Sequence, residues 1–304
     1  MIGKTRLARG RHRDWRVAAA FVAPTFTLVS VFVLFPLVSS TRLAFFSGNR
    51  FGRVGGYVGL RNVRSVLTSP EFRASGFATF RFVLLVAPTS VVLGIALAVV
   101  AAPAMRGASF FRVVFSSSVA TGGALSAALF TVLLTPTGTM RYLLQSAHVL
   151  RPDQTINLLN NDRWALPTIA AVTVWSNLGF SFIVFSAALR GVPETLYESA
   201  ALEGCGAWAK FRHITVPMIR PTIEFAAIAM TVGALLSFGQ IDVLTRGGPG
   251  QRTDVLAYAL YRTSFRDGDQ AKGAVYSATL LLLCAVLGAA QLFVFRRRRS
   301  FDDG

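Results

Sequence analysis

The 304-residue chain predicts an all-α, polytopic membrane protein with six transmembrane helices. Composition is the first observation behind this. The chain is 53% hydrophobic with a mean hydropathy of +0.53, too apolar for an ordinary soluble domain. Periodicity of the apolar runs is the second. Six runs, at about 17–38, 76–102, 113–135, 165–189, 222–240 and 273–295, approach or exceed the length needed to cross a bilayer core as a helix. Lipid satisfies no backbone group, so the spans must be helical. The third is where the charges lie. The formal net charge is +17, almost all of it arginine, and it falls between the runs. A basic chain could serve nucleic acid, but charge clustered at span ends meets anionic lipid headgroups more simply. Membrane lipid is therefore an expected partner and nucleic acid is not.

Residues 1–16 form a basic tail with Lys4, Arg6, Arg9, Arg11, Arg13 and Arg16. The run after it is too long for a signal-peptide core and has no small-x-small cleavage site, so it reads as a retained first span. Residues 39–75 are a polar, glycine-rich loop. The second span carries Arg81 near its start, where a long side chain snorkels to the interface. The basic loop Arg106 to Arg112 leads to a third span, which opens with Ser116-Ser117-Ser118 and ends at a Pro136-Thr137-Gly138 turn. The fourth span has no charge but holds Trp175, Ser176, Asn177 and Ser181. The fifth has Glu224 near one end and Gln240 at the other. Thr245-Arg246-Gly247-Gly248-Pro249 with Thr253 reads on its own as a plain Gly-Pro surface turn. The sixth ends at Arg296-Arg297-Arg298-Arg299, and 296–304 is the second tail. The domain plan is thus a tail at 1–16, a transmembrane domain over 17–295 with a polar loop at 190–221, and a tail at 296–304. Six spans put both termini on one side. Counts of Lys and Arg on the two sides nearly balance, but density and the clusters at the first and last span ends favour cytoplasmic termini.

Pro193 to Pro217 is the longest polar, charged segment between spans that still reads as folded. Pro193-Glu194 suits a first helical turn, Thr195 to Glu203 are good helix formers, and Gly204 and Gly206 stop the run. At 100° per residue Ser199, Ala200, Glu203 and Gly204 share a face nearly free of bulk, which lets another protein's backbone approach. Glu198 points away, toward Arg190, Lys210 or Arg212. A short amphipathic segment with Trp208, Phe211 and Ile214 follows, closed by Pro217 and Pro221. On spacing alone, a docking loop and an ordinary loop lying on the membrane surface are equally good readings.

Glu198-Ser199-Ala200, three residues, Gly204, nine residues, then Ile214-Thr215-Val216-Pro217 resembles the EAA loop of ABC importer permeases. The spacing matches throughout. The departures (Ser199 for Ala, Glu203 for Asp, Cys205 for Ala, Val216 for Leu) are small or conservative. Val58-Gly59-Leu60-Arg61-Asn62 and the Gly-Gly-Pro stretch resemble segments of the sugar-type permeases, and Ser116–Ser118 stands where such permeases commonly carry a proline. Val174-Trp175, Ala188 to Pro193, and Tyr261-Arg262 with Phe265 are similar to the glycerol-3-phosphate permease subunit. The resemblance spans roughly Phe35 to Arg298. It implies the type I importer permease fold, seen in maltose and methionine permeases, in a bacterial inner membrane.

No catalytic constellation or metal set stands out, Cys205 and Cys284 form no framework, and no Gly-x4-Gly-Lys-Ser/Thr phosphate loop occurs. The chain is expected to be no enzyme and to bind no cofactor. Trp175, Ser176, Asn177, Ser181 and Gln240 are candidates to line a solute path, since an aromatic face with neighbouring hydroxyl and amide groups suits a polyol or sugar. Polar side chains in spans equally serve as glue between helices.

The resemblance implies a complex: a second homologous permease chain, two ATPase subunits holding ATP and Mg, and an extracytoplasmic solute-binding protein. Glu198, Ser199, Ala200, Glu203, Gly204, Ile214 and Pro217 would couple to the ATPase. Glycerol-3-phosphate or a glycerophosphodiester is the expected solute, with a sugar or oligosaccharide as the alternative. An ion-coupled carrier or a non-transport membrane scaffold is the reading from a different class. An ion-coupled carrier would more often carry an acid near mid-span.

Overall fold

The computed structural model describes residues 19–48, 54–101, 108–136, 138–148, 151 and 157–302. The basic tail at 1–16 and most of the loop before the third span lie outside the described residues. Helix α1 covers Ala19–Leu43. A two-stranded antiparallel hairpin follows, β1 (Phe46–Gly48) and β2 (Val54–Tyr57). Next come α2 (Arg61–Leu67), α3 (Pro70–Val100), α4 (Ala108–Leu134), α5 (Thr139–Ser146) and α6 (Ala165–Arg190). The chain is completed by α7 (Glu194–Leu202), α8 (Ala207–Leu235), α9 (Gly239–Leu244), α10 (Leu256–Tyr261) and α11 (Gln270–Asp302).

Local chemistry explains the main boundaries. α3 starts where Ser69 accepts a hydrogen bond from Phe72 N–H at 3.1 Å, with Pro70 and Glu71 in the first turn. It is longer at its start than the run from Gly76 indicates, because this cap lies in polar sequence. α1, α3, α6, α8 and α11 are each long and apolar enough to cross a membrane. The expected third span differs. α4 is broken at Gly122, whose φ of 55° and ψ of 171° leave the helical region. The second half of α4 and α5 then form a pair bent by 47°. The break sits at a Gly-Gly pair, past Ser116–Ser118.

The fifth span is also displaced from its expected position. α8 begins at Ala207 and ends at Leu235, so Gln240 lies outside it on the short α9. Pro217 and Pro221 do not close the amphipathic segment but lie inside the helix. A π-helical turn over Phe211–Thr215 precedes Pro217, and Val216 N–H reaches back to Phe211 carbonyl there. The wider turn lets the helix pass a proline that has no N–H to donate.

α6 packs against both α3 and α4, and α8 joins the same group. Two apolar clusters divide the bundle lengthwise. One, around Phe82, Ile169, Leu256 and Tyr258, lies toward the start of α3. The other, around Phe182, Phe185 and Ile219, lies toward its end, next to α7. α1 is almost wholly uncovered along its apolar length, and α11 nearly so. In a membrane chain such faces meet lipid or other subunits.

Candidate functional site

The Pro193–Pro217 segment folds as a helix, a glycine stop and a second helix. Pro193 caps α7 from outside, so the first helical residue is Glu194. At the other end Cys205 N–H donates to Ala200 carbonyl at 2.9 Å and Gly204 N–H to Ala201 carbonyl at 3.1 Å. This pair of bonds is the Schellman stop, and it needs a left-handed residue at its turn. Gly204 supplies it with φ at +75°. Open space surrounds a Cβ built there, so the demand within this chain is conformational.

The candidate loop residues divide between two surroundings. Ser199, Glu203 and Gly204 are exposed, as expected, but Ala200 is buried and does not share their open face. Glu198 is exposed, and among the described residues no ion pair joins it to Arg190, Lys210 or Arg212. Leu202, 91% exposed, and Trp208, 71% exposed, stand out from the loop as apolar projections. The sequence pattern shows that both are apolar; only the structure shows that they point outward. Ile214 is half-buried against the Phe182–Ile219 cluster, whereas Pro217 is exposed at the helix surface. A side-chain bond ties the two helices together: Tyr197 hydroxyl meets Thr215 hydroxyl at 2.9 Å.

The five candidate path residues are also sorted by the fold. Ser176 donates to Ser126 Oγ at 2.7 Å, and Ser126 in turn donates to Gly123 carbonyl at 2.8 Å, beside the break in α4. Gln240 comes to the same place. It is buried, accepts from Ser237 at 3.0 Å, and its amide lies so close to Gly123 that a Cβ there would overlap it. Trp175 packs edge-on against Phe130 of α4 with ring centres 5.2 Å apart. Asn177 turns to α3, its amide 3.5 Å from Ser90 Oγ, and Ser181 is buried between Gly94 and Met230. Ser176 and Gln240 therefore gather at the broken helix, while Asn177 and Ser181 bridge helices. Ser126, Gly122 and Gly123 escaped the sequence reading. The signal was there, since a glycine pair interrupting an apolar run points to a discontinuous span.

The Gly-Gly-Pro stretch is a buried corner, not a plain surface turn. Thr253 donates to Gly248 carbonyl at 2.7 Å and pairs with Thr245 hydroxyl at 2.8 Å. Gly247, with φ at +83°, lies against the Tyr258 ring, where a Cβ would collide. Asp254 is 1% exposed and accepts from Arg262 at 2.8 Å, and Arg262 also pairs with Asp267 at 3.3 Å. Burial pushes the Asp254 carboxyl above its ordinary range, against the pull of Arg262. Arg266 bonds Tyr258 hydroxyl and Asp242, and Leu256 N–H donates to Thr79 of α3 at 2.8 Å. The Val58–Asn62 stretch is structural too. Asn62 donates to the carbonyls of Ala44 and Phe46, fastening the end of α1 and the hairpin to α2.

Several long apolar helices, one of them broken beside a polar cluster, and a folded loop projecting from one end describe a membrane-spanning chain. Over residues 17–300 the chain matches the family described as binding-protein-dependent transport system inner membrane component, and it belongs to that family. It is a multi-pass ABC importer permease subunit, without enzyme activity of its own. It is 30% identical to the sn-glycerol-3-phosphate transport system permease protein UgpA of Yersinia enterocolitica, over 91% of this chain and 94% of that protein. It is 27% identical to the lactose transport system permease protein LacF of Rhizobium radiobacter, over 92% and 94% respectively. The fold matches a chain in the crystal structure of a bacterial ABC transporter involved in the import of the acidic polysaccharide alginate. The TM-score is 0.78 at 21% identity, covering 96% of this chain and 99% of that one. The type I importer permease fold that the resemblance implied is the fold observed.

Proposed function

We propose that this chain forms half of a translocation pore and that its Pro193–Pro217 loop couples the pore to an ATPase subunit. The observation that carries this is the loop itself. It is a stopped helix that exposes Glu198, Ser199, Glu203 and Leu202 while Tyr197, Ala200 and Ile214 hold it to the spans. A rigid projection of this kind transmits a displacement at its tip to the span ends, which is what a coupling free energy between nucleotide site and pore requires. The partners are a second permease chain, two ATPase subunits carrying ATP and Mg, and an extracytoplasmic binding protein. A relative of the fold, the alginate transporter, is described in complex with a pentasaccharide-bound periplasmic protein, which supports that last partner. With ATP on the loop side, both termini are cytoplasmic, residues 17–295 are the transmembrane domain and 190–221 the coupling loop.

The solute is sn-glycerol-3-phosphate or a glycerophosphodiester, supported by relatives that transport the former. A neutral sugar is the second reading, because none of the side chains gathered at the α4 break is charged. A C-terminal tag, mild solubilisation and mass spectrometry test the assembly. An ATPase with a phosphate loop and a second permease are expected to co-purify, and the binding protein is then titrated with glycerol-3-phosphate and with lactose. Recovery of this chain alone from native membranes in several mild detergents would overturn the proposal.

A further inference from the structure

A cleft of about 390 Å³ opens where α7 and the start of α8 fold back on the ends of α3 and α6. Its wall is apolar, with Ala98, Val99, Leu189 and Phe211 among the lining residues. Arg190 and Lys210 line it as well. α3 ends at Val100 and α6 at Arg190. The cleft therefore lies where two apolar spans run out, at the depth where hydrocarbon gives way to headgroups.

Neither cation is neutralised within the described chain. Arg190 Nε donates to the Ser186 carbonyl at 3.3 Å, and no carboxylate pairs with Arg190 or Lys210. This contrasts with Arg262, Arg266 and Lys272 at the other end of the bundle, each of which has a carboxylate partner. An apolar occupant without charge would leave both cations unmatched. A soluble anion would leave the apolar wall wet. One molecule satisfies both. We propose that this cleft binds a single anionic phospholipid from the adjoining leaflet, its acyl chain against Ala98, Val99, Leu189 and Phe211 and its phosphate between Arg190 and Lys210. Guanidinium suits a phosphate through paired N–H donors, and an ammonium adds a point charge. The site does not depend on which solute the transporter carries.

Native mass spectrometry of the whole transporter, purified from membranes containing phosphatidylglycerol, tests this. The wild-type complex is expected to retain phosphatidylglycerol in preference to phosphatidylethanolamine. Removing both charges, Arg190→Gln with Lys210→Gln, should lower that retention about tenfold or more, as two lipid-facing cations imply. The charge-preserving pair Arg190→Lys with Lys210→Arg should keep most of it. Ala207→Leu, which narrows the cleft and leaves both cations in place, should also lower retention, and inorganic phosphate should not displace the lipid. Absence of bound phosphatidylglycerol from the wild-type complex overturns the proposal without any variant. Retention that ignores the double substitution also overturns it. Displacement by inorganic phosphate would make this a soluble-anion site, and cross-linking of Lys210 to a partner subunit in place of lipid would make it a protein interface. Either result sinks the lipid assignment.

Discussion

Two connections between spans each carry a glycine-bearing motif, yet they are built in opposite ways. The Thr245–Asp269 corner turns its charges inward. Arg262 meets Asp254 and Asp267, Arg266 meets Asp242, and Thr253 and Asp254 are almost fully buried. The Pro193–Pro217 loop turns its charges outward, with Glu198 and Glu203 exposed and unpaired within the described chain. Both use a glycine at positive φ, but Gly247 is packed against Tyr258 while Gly204 faces open space. A motif satisfied within its own chain fixes structure. A motif that leaves its groups unsatisfied is available to a partner.

The largest effect should come from the open side of this contrast. Gly204→Asp places a side chain at φ +75°, a strain of about 1–2 kcal/mol, and adds charge on the exposed face. The chain should still reach the membrane, because among the described residues nothing lies within 4 Å of a Cβ at that position. ATP-driven uptake should fall at least tenfold, since the strain favours an unwound stop over the folded one that docks by about one factor of ten. Uptake in vesicles is the measurement, with ATP hydrolysis followed in parallel. Wild-type uptake in that variant would show that the loop's stop is not used for coupling.

On the closed side the expected damage is to stability. Asp254→Ala removes the buried partner of Arg262, whose side chain is only 26% exposed, and leaves Arg262 with the more exposed Asp267. Losing one of its two carboxylates, with a charged hydrogen bond, costs about 2 kcal/mol. The thermal transition of the purified complex should drop by several degrees, while nucleotide-stimulated ATPase activity per folded complex stays near wild type. Loss of coupling at unchanged stability would place the corner among the functional parts and erase the distinction between the two connections.

How far each region could be read beforehand follows the same division. The loop's helix limits and glycine stop were legible because caps and breakers act over a few residues, and Pro193, Glu194 and Gly204 lie where local rules put them. What failed there failed through packing. Ala200 is buried, and Pro217 and Pro221 sit inside a helix because a π-helical turn absorbs the missing N–H. The Gly-Gly-Pro corner read as a surface turn because its closing partners are remote. Thr79 is 177 residues from Leu256, and the Asp254–Arg262 pair forms only once α10 has folded. At the α4 break, Ser176 and Gln240 were visible as polar residues in apolar sequence. Their meeting at Gly123 was not, because Ser126 and Ser176 are 50 positions apart. Periodicity also overstates the third span, since an apolar run does not reveal that Gly122 leaves the helix.

The smallest prediction tests the link that joins the exposed loop to the buried bundle. Tyr197 is half-buried, and among the described residues its hydroxyl meets Thr215 alone, at 2.9 Å. Tyr197→Phe keeps the ring packed and removes that bond, leaving Thr215 with a 3.5 Å contact to the Lys210 carbonyl. A net loss of about 1 kcal/mol is expected, small against the whole bundle. If α7 moves as one body with α8, stability and coupling should both change slightly and together, within about fivefold in uptake per ATP, since 1 kcal/mol amounts to about a factor of five. If the bond is instead the main rigid element between loop and spans, uptake per ATP should fall much further than the thermal transition does. The ratio of those two effects measures how much of the coupling passes through Tyr197 and Thr215 and how much through the packing of Ile214 and Val192 against the Phe182–Ile219 cluster.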